Sequence, residues 1–444
     1  MKLLCRSAVR PVLAFVLAIP CIVTASVRAE DPAAWSDKHL PYVLDLYKHF
    51  HQHPEVSLHE KETAERLAQE LEAAGLEVTG DVGGHGVVGI LQNGDGPTVM
   101  VRTDLDALPV SEKTELVYSS KVKIRDAEGR ETGVMHACGH DVHMACLVGV
   151  ARYLSASKDR WRGTVMFIGQ PAEERGMGAR AMLNDGLFTK FQKPDFALAL
   201  HCDSKLPAGF VGHRAGYILA NVDTVDVTIY GRGGHGAHPQ TTIDPVVIAA
   251  HLVVDLQSIV AREIRPGEPA VITVGSIHGG TKHNIIGDRC DLQLTVRSYT
   301  DQVRDHLFAA IRRKAKAAAD SAGAPEPKVS FSEDFTPATK NDDALTARLV
   351  PIWEKTFGAA RVVEVPPSMG GEDFSMYGRA GVPICMFSLG TVEPQRLAGL
   401  ERVQQQPPSL HSPFFYPDPE PTLRTGVTAM AEAVLHLLPA ESSK

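Results

Sequence analysis

The stretch that most restricts the fold is His136-Ala137-Cys138-Gly139-His140-Asp141-Val142-His143. Cys138 and His140 stand two residues apart and cannot share one face of a helix. A loop suits them, and the spacing of Val142, Cys146, Val150 and Leu154 predicts a helix starting near Asp141. A helix N-terminus at that point would favour the thiolate form of Cys138. Cysteine, histidine and aspartate crowded together can bind a divalent metal of borderline softness or orient a residue that does. The plainer alternative is a buried structural cysteine beside unrelated histidines.

Further chemistry-bearing residues follow strand-like runs. Val87 to Leu91, Val99 to Arg102, Gly163 to Gly169 and Phe196 to Leu200 are short and apolar, bounded by turn residues. Asp104 and Asp106 follow the second run, Glu173 and Glu174 the third, and His201 the fourth. Open α/β sheets place ligands at the carboxyl ends of their strands, so one rim could collect these residues together with Cys138 and His140. On extended backbone, Glu173 and Glu174 point opposite ways. One could then hold a metal while the other reaches the water that the metal activates. Helices are predicted over 41–50 and 61–74, with His51 in a solvated link between them, and later over 341–355 and 420–438.

Between about residues 218 and 331 the texture changes. Val222 to Tyr230 alternates like a half-exposed strand. Helical patterns over 243–262 and 301–322 and strands over 270–275, 291–298 and 329–331 complete a small α+β unit. It is inserted between residues 30–217 and 332–444, because Glu372-Asp373 and His411 resume the chemistry afterwards. The glycine-rich turn at Gly231 presents His235 and His238 but lacks the Lys-Ser/Thr ending of a phosphate loop. The expectation is therefore an α/β protein, a mixed-sheet domain carrying an inserted α+β unit.

Residues 1–29 read as an export signal: Lys2, Arg6 and Arg10, an apolar run from Val12 to Val23, then Val27-Arg28-Ala29. The run is too short to span a bilayer, which leaves no stable membrane anchor after its removal. Export to the periplasm or outside the cell is expected. The five cysteines beyond it are odd in number and widely spaced, unlike a disulfide framework. A net charge of −8 without a long basic run argues against a nucleic-acid partner.

Taken together, RTDLDALP at Arg102, MHACGHDVH at Met135, PAEE at Pro171, ALHC at Ala199, GRGGHGAHP at Gly231, HNIIGD at His283, GGEDF at Gly370 and LHSP at Leu410 run in the order of one family. The chain resembles the two-metal aminoacylase and carboxypeptidase family, in the amidohydrolase branch that contains hippurate, N-acyl-amino-acid and auxin-conjugate hydrolases. The resemblance implies a zinc-peptidase-like catalytic domain with a ferredoxin-like lid through which two chains dimerise. It implies two divalent ions per chain (Zn, Mn, Co or Ni) held by Cys138, His140, Glu174, His201 and His411, with the Cys138 sulfur between them. Glu173 would be the general base, with Asp104 and Asp106 supporting the ligands. His235 would reach the active site of the partner subunit. Asn284, Arg297, Gly370 and Gly371 would bind the substrate carboxylate or the developing oxyanion. Two positions depart from the usual pattern, Gly287 where proline is usual and His283 where a small residue is, and both bear on specificity.

The implied substrates are small N-acyl amino acids cleaved by metal-activated water. The alternatives are a metallocarboxypeptidase acting on dipeptides and, further off, a non-catalytic exported binding protein of the same fold. A cysteine nucleophile at Cys138 paired with histidine fits the surrounding ligand types less well.

Overall fold

Strand Thr98–Asp104 is buried at every position, as a central strand covered on both faces must be. A computed structural model describes Met1, residues 30–125 and residues 129–440. Residues 2–29 of the segment read as an export signal lie outside the described residues. Helices α1 (Pro32–Gln52) and α2 (Lys61–Ala73) lead into strands β1 (Glu77–Thr79), β2 (Val87–Asn93) and β3 (Thr98–Asp104). Helix α3 (His140–Ala156), β4 (Gly163–Gln170), β5 (Phe196–Pro207) and β6 (Val211–His213) follow. The inserted unit holds β7 (Asn221–Tyr230), α4 (Pro245–Glu263), β8 (Ala270–Gly279), β9 (Arg289–Ser298), α5 (Asp301–Ser321) and β10 (Lys328–Phe331). The chain then returns through α6 (Asp343–Phe357), β11 (Val362–Glu364), β12 (Ile384–Val392) and α7 (Pro419–Leu437).

The large sheet runs β1-β2-β4-β3-β5-β12-β6-β11. Its centre, β4-β3-β5-β12, is parallel, so the carboxyl ends of these strands share one rim. Helices α1, α3 and α7 pack on one face through a single apolar core that includes Tyr47, Tyr153, Trp161 and Trp353. The insert has a four-stranded sheet in the order β8-β9-β7-β10, with all neighbours antiparallel. With α4 and α5 on one side, this is the βαββαβ arrangement of a ferredoxin-like unit, and it has its own core. Helix α4 is long and apolar enough to cross a membrane by length and composition, but Ile248, Leu252, Leu256 and Ile259 bury against the insert's sheet.

Several boundaries shift from those read in the sequence. Helix α1 starts at Pro32, nine residues before Pro41, because Asp31 caps Ala34 N and a proline is tolerated in the first turn. His51 therefore lies inside α1 and is buried, which corrects the solvated link. Residues 216–219 belong to neither large sheet; they pair with Thr339–Asn341, so the two connections to the insert form a ribbon of their own. Strand β5 runs on to Pro207, which places His201 within the strand instead of past its end.

Candidate metal centre

Gly139, at φ +85°, turns the chain into α3, and a side chain at this position would collide with Cys202 Sγ. Cys138 is thereby left on the loop and His140 in the first turn, as their spacing demands. Cys138 Sγ lies 3.6 Å from His201 Nε2 and 3.3 Å from His411 Nε2. His411 Nε2 lies 3.5 Å from Glu174 Oε2, and His140 Nε2 lies 3.8 Å from Glu174 Oε1 and from Glu173 Oε2. Among the overlapping groups of donor atoms within 4.8 Å of one another are two triads, Cys138-His140-His201 and Cys138-Glu174-His411; others join His140 to Asp104 and His143 and to Glu173 and Glu174. Cys138 belongs to both triads.

The far sides of these ligands are fixed. His140 Nδ1 is 2.7 Å from the Asp106 carbonyl oxygen, to which it can only donate, so Nε2 faces the centre. His201 Nδ1 donates to the Cys202 carbonyl, and His411 is anchored by its own amide on the Ala137 carbonyl. The Asp106 carboxylate accepts the amides of Glu173 and Glu174 at 3.1 and 3.0 Å and the Ser57 hydroxyl at 2.6 Å. Asp104 accepts from Arg102 and from His143 Nδ1, while His143 Nε2 accepts the Cys202 amide. Asp104 and Asp106 thus hold the ligands without belonging to the two triads.

His140 Nε2 and Glu174 Oε1 are buried without a hydrogen-bond partner. Burial together with Glu174 and Glu173 pushes the Cys138 thiol well up, opposite to the thiolate expected from a helix N-terminus alone. Burial and the neighbouring acids push Glu174 up to about 7, against the pull of His140. Burial, Glu372 and Glu174 push Glu173 well up too. Against burial, Asp104, Asp106 and Glu174 hold His140 at about 10. A buried pocket with surplus acid, an orphaned imidazole nitrogen and an orphaned carboxylate oxygen fits divalent cations. The mixture of thiolate, imidazole and carboxylate suits zinc and its first-row neighbours.

Glu173 and Glu174 do not lie on extended backbone. Ala172, at φ +48°, opens a turn that carries both. They still diverge: Glu174 meets Cys138 and His411, while Glu173 meets Glu372 and Asp373.

The remaining predicted residues form two other groups. Arg297, on β9, donates to the Met369 carbonyl at 2.6 Å, which sets it beside Gly370 and Gly371. Among the described residues it has no acidic partner: Asp291 pairs with Arg289 and Asp301 with Arg379. Gly371 packs so closely on Val222 that a side chain there would clash. His235 is exposed in the insert, and the Gly236 amide donates to the Asn284 carbonyl. None of the donor clusters among the described residues contains His235 or Asn284.

Sequence reasoning missed several participants. Arg102 is fully buried and pairs with Asp104, Glu372 and Asp373. An arginine inside an otherwise apolar strand signals buried acids elsewhere, and it does so here. Glu372 and Asp373 stand out in the sequence, but nothing local names Arg102 as their partner. Glu60, whose carboxylate accepts the Ala172 amide at 2.7 Å, gave no signal beyond its charge.

Residues 100–436 match the profile of peptidase family M20/M25/M40. Thermostable carboxypeptidase 1 of Saccharolobus solfataricus is 37% identical over 354 residues, 79% of this chain and 86% of the relative. N-acetyl-L-cysteine deacetylase of Bacillus subtilis is 35% identical over 339 residues, 76% of this chain and 77% of the relative. The crystal structure of the Bacillus subtilis YXEP protein, described as a dinuclear metal-binding peptidase of the M20 family, superposes with a TM-score of 0.74 at 28% identity. It covers 90% of this chain and 99% of its own.

Proposed function

The chain belongs to peptidase family M20/M25/M40, and from that premise we propose that it hydrolyses the amide bond of N-acyl amino acids bearing a free α-carboxylate, using two divalent cations. Cys138, His140, Glu174, His201 and His411 would hold the pair, Cys138 being common to the two triads. Cations in this position supply Lewis acidity and lower the pKa of water. Glu173 is the general base: it takes the proton of the attacking water and returns it to the leaving nitrogen. Its amide is fixed by Asp106, so its aim does not depend on the substrate.

The observation that carries the substrate assignment is Arg297. It is half-buried, lacks an acidic partner among the described residues, and sits beside Gly370-Gly371. From there Glu372 leads directly to Glu173. Guanidinium binds carboxylate bidentately, and glycine lets an anion approach the backbone. Such a site rejects a substrate lacking the charge. A dipeptide offers the same carboxylate, so the metallocarboxypeptidase reading rests on the same residue. The test is a panel of N-acyl amino acids, dipeptides and the C-terminal amides of each. Acids should exceed their amides by on the order of 10²-fold in kcat/KM or more, and Arg297→Ala should erase most of the difference. Equal rates for acid and amide would overturn the assignment.

We read the insert as a lid and dimer contact. Val247, Val254 and Ile277 are exposed on it, and His235 is apart from its own chain's donor clusters. Residues 1–29 support export of the enzyme.

A further inference from the structure

Three successive amides of the turn that carries Glu173 and Glu174 are each held by a buried carboxylate. Ala172 N donates to Glu60 Oε1 at 2.7 Å, Glu173 N to Asp106 Oδ1 at 3.1 Å and Glu174 N to Asp106 Oδ2 at 3.0 Å. The two acids come from different parts of the chain, but these parts are joined. Ala107 N donates to the Glu55 carbonyl, Val56 bridges to Ala107, and the Ser57 hydroxyl donates to Asp106. Residues 55–60 thus lie along the strand end that carries Asp106, and the Glu173-Glu174 turn is clamped from both.

Glu60 stands at the residue before α2 but makes no capping bond to that helix, whose Thr63 amide is held by Glu55 at 2.7 Å. Its side chain reaches the Ala172 amide instead. It is fully buried, and its second oxygen, Oε2, has no partner. Burying a carboxyl with an oxygen unsatisfied is costly, and the Ala172 amide is the contact that links it to the catalytic turn. Ala172 is held at φ +48°, a left-handed conformation that is strained for a residue with a Cβ. Without Glu60 the Ala172 amide has no acceptor in this turn among the described residues, and Glu173 is the next residue along it.

We propose that Glu60 is a positioning residue for the reaction: it holds the Ala172 turn in its left-handed form and thereby aims Glu173. The proposal rests on the reading of Glu173 as general base in amide hydrolysis. Asp106 holds the Glu173 and Glu174 amides alike, whereas Glu60 acts one residue earlier, on the left-handed Ala172 that leads directly into the base.

The test uses the metal-loaded full-length enzyme and whichever amide substrate the wild type turns over fastest. Failure of the amide-hydrolysis reading shows in the wild type, whereas failure of the present inference shows in the ratio of variant to wild type. Glu60→Ala should lower kcat on the order of 10-fold or more, as small misplacements of a catalytic group do. KM should stay within about twofold and metal content should remain unchanged. Glu60→Gln, which keeps an acceptor oxygen, should recover most of the loss. Adding Ala172→Gly to Glu60→Ala should recover part of it, because glycine occupies positive φ without strain. Glu60→Asp, which keeps the charge but withdraws the acceptor, tests the same point should the alanine variant not fold. Full kcat in Glu60→Ala or Glu60→Asp, or a loss that follows metal content or melting temperature and is not relieved by Ala172→Gly, would overturn the proposal.

Discussion

His51 Nδ1 and Asp141 Oδ2 meet at 2.7 Å in the protein interior, joining the last turn of α1 to the first turn of α3. His51 Nε2 meets Glu112 Oε1 at 3.2 Å, so the imidazole lies between two acids. Burial alone would lower its pKa, but the hydrogen bonds to Asp141 and Glu112 raise it to about 9. The rings of Tyr47 and Tyr118 complete its surroundings. The pair therefore ties the metal-bearing loop to the N-terminal helix with a charge that the unfolded chain does not keep above neutrality.

That relationship has a pH signature. A group whose folded pKa is raised gives its full stability below the unfolded value, about 6.5, and loses it as pH rises through the folded one. Stability should fall between about pH 6.5 and 9, with a slope of at most about 1.4 kcal/mol per pH unit from this residue, and the melting temperature with it. His51→Gln should lower stability at pH 6 and flatten the decline. An unchanged slope in His51→Gln, followed by calorimetry, would show that other groups govern this window.

His51 also marks where the sequence stopped being legible. A histidine before Gln52-His53-Pro54 looks like a turn residue, because nothing local reports that α1 begins at Pro32 or that Asp141 waits ninety residues on. Cys138, His140, Glu174, His201 and His411 could be named because several ligand-type residues recur in motifs that follow a family's order. Arg102 and Glu60 could not, since Arg102 draws on Glu372 and Asp373 some 270 residues on and Glu60 on Ala172, contacts that spacing cannot reveal. The insert was readable from strict alternation in Asn221–Tyr230 and Arg289–Ser298, where one face packs on helices and the other is more open. Short strands such as Val211–His213 and Val362–Glu364 were missed, because three residues carry no period.

The shared position of Cys138 predicts unequal effects on metal content. Cys138→Ser removes the thiolate from both triads and should release most of both cations from the purified enzyme, as metal analysis would show. His411→Ala touches only the triad with Glu174 and should release about one. Equal losses in the two variants would remove the argument for a shared sulfur.

Glu173 and Glu174 are neighbours with different surroundings, so their amides should fail differently. Glu174→Gln loses a ligand that faces His411 at 3.5 Å and should lower metal occupancy. Glu173→Gln should keep both cations and the melting temperature while kcat falls on the order of 10²-fold or more. Parallel loss of metal in both variants would show that the two carboxylates share one role.

Complementation tests the insert. His235 is exposed on a short strand paired with Ile285, and its Nδ1 accepts the Ala237 amide, so within its own chain it is engaged only locally. The metal centre of the same chain is built without it. If His235 completes the site of a partner subunit, an enzyme made of Glu173→Gln chains has intact lids over dead centres, and one made of His235→Ala chains has the reverse. Neither homodimer should be active. A heterodimer of the two contains one site with both Glu173 and a facing His235, and random mixing makes half of the dimers heterodimers. Mixed subunits should therefore regain roughly a quarter of the wild-type rate per chain, since one site in two works in half of the dimers. Subunit exchange is followed by native mass spectrometry, so the recovered rate can be set against the measured heterodimer fraction. No recovery at full exchange would place His235 in its own subunit's site or outside the reaction, and activity in the His235→Ala homodimer would remove it from catalysis altogether.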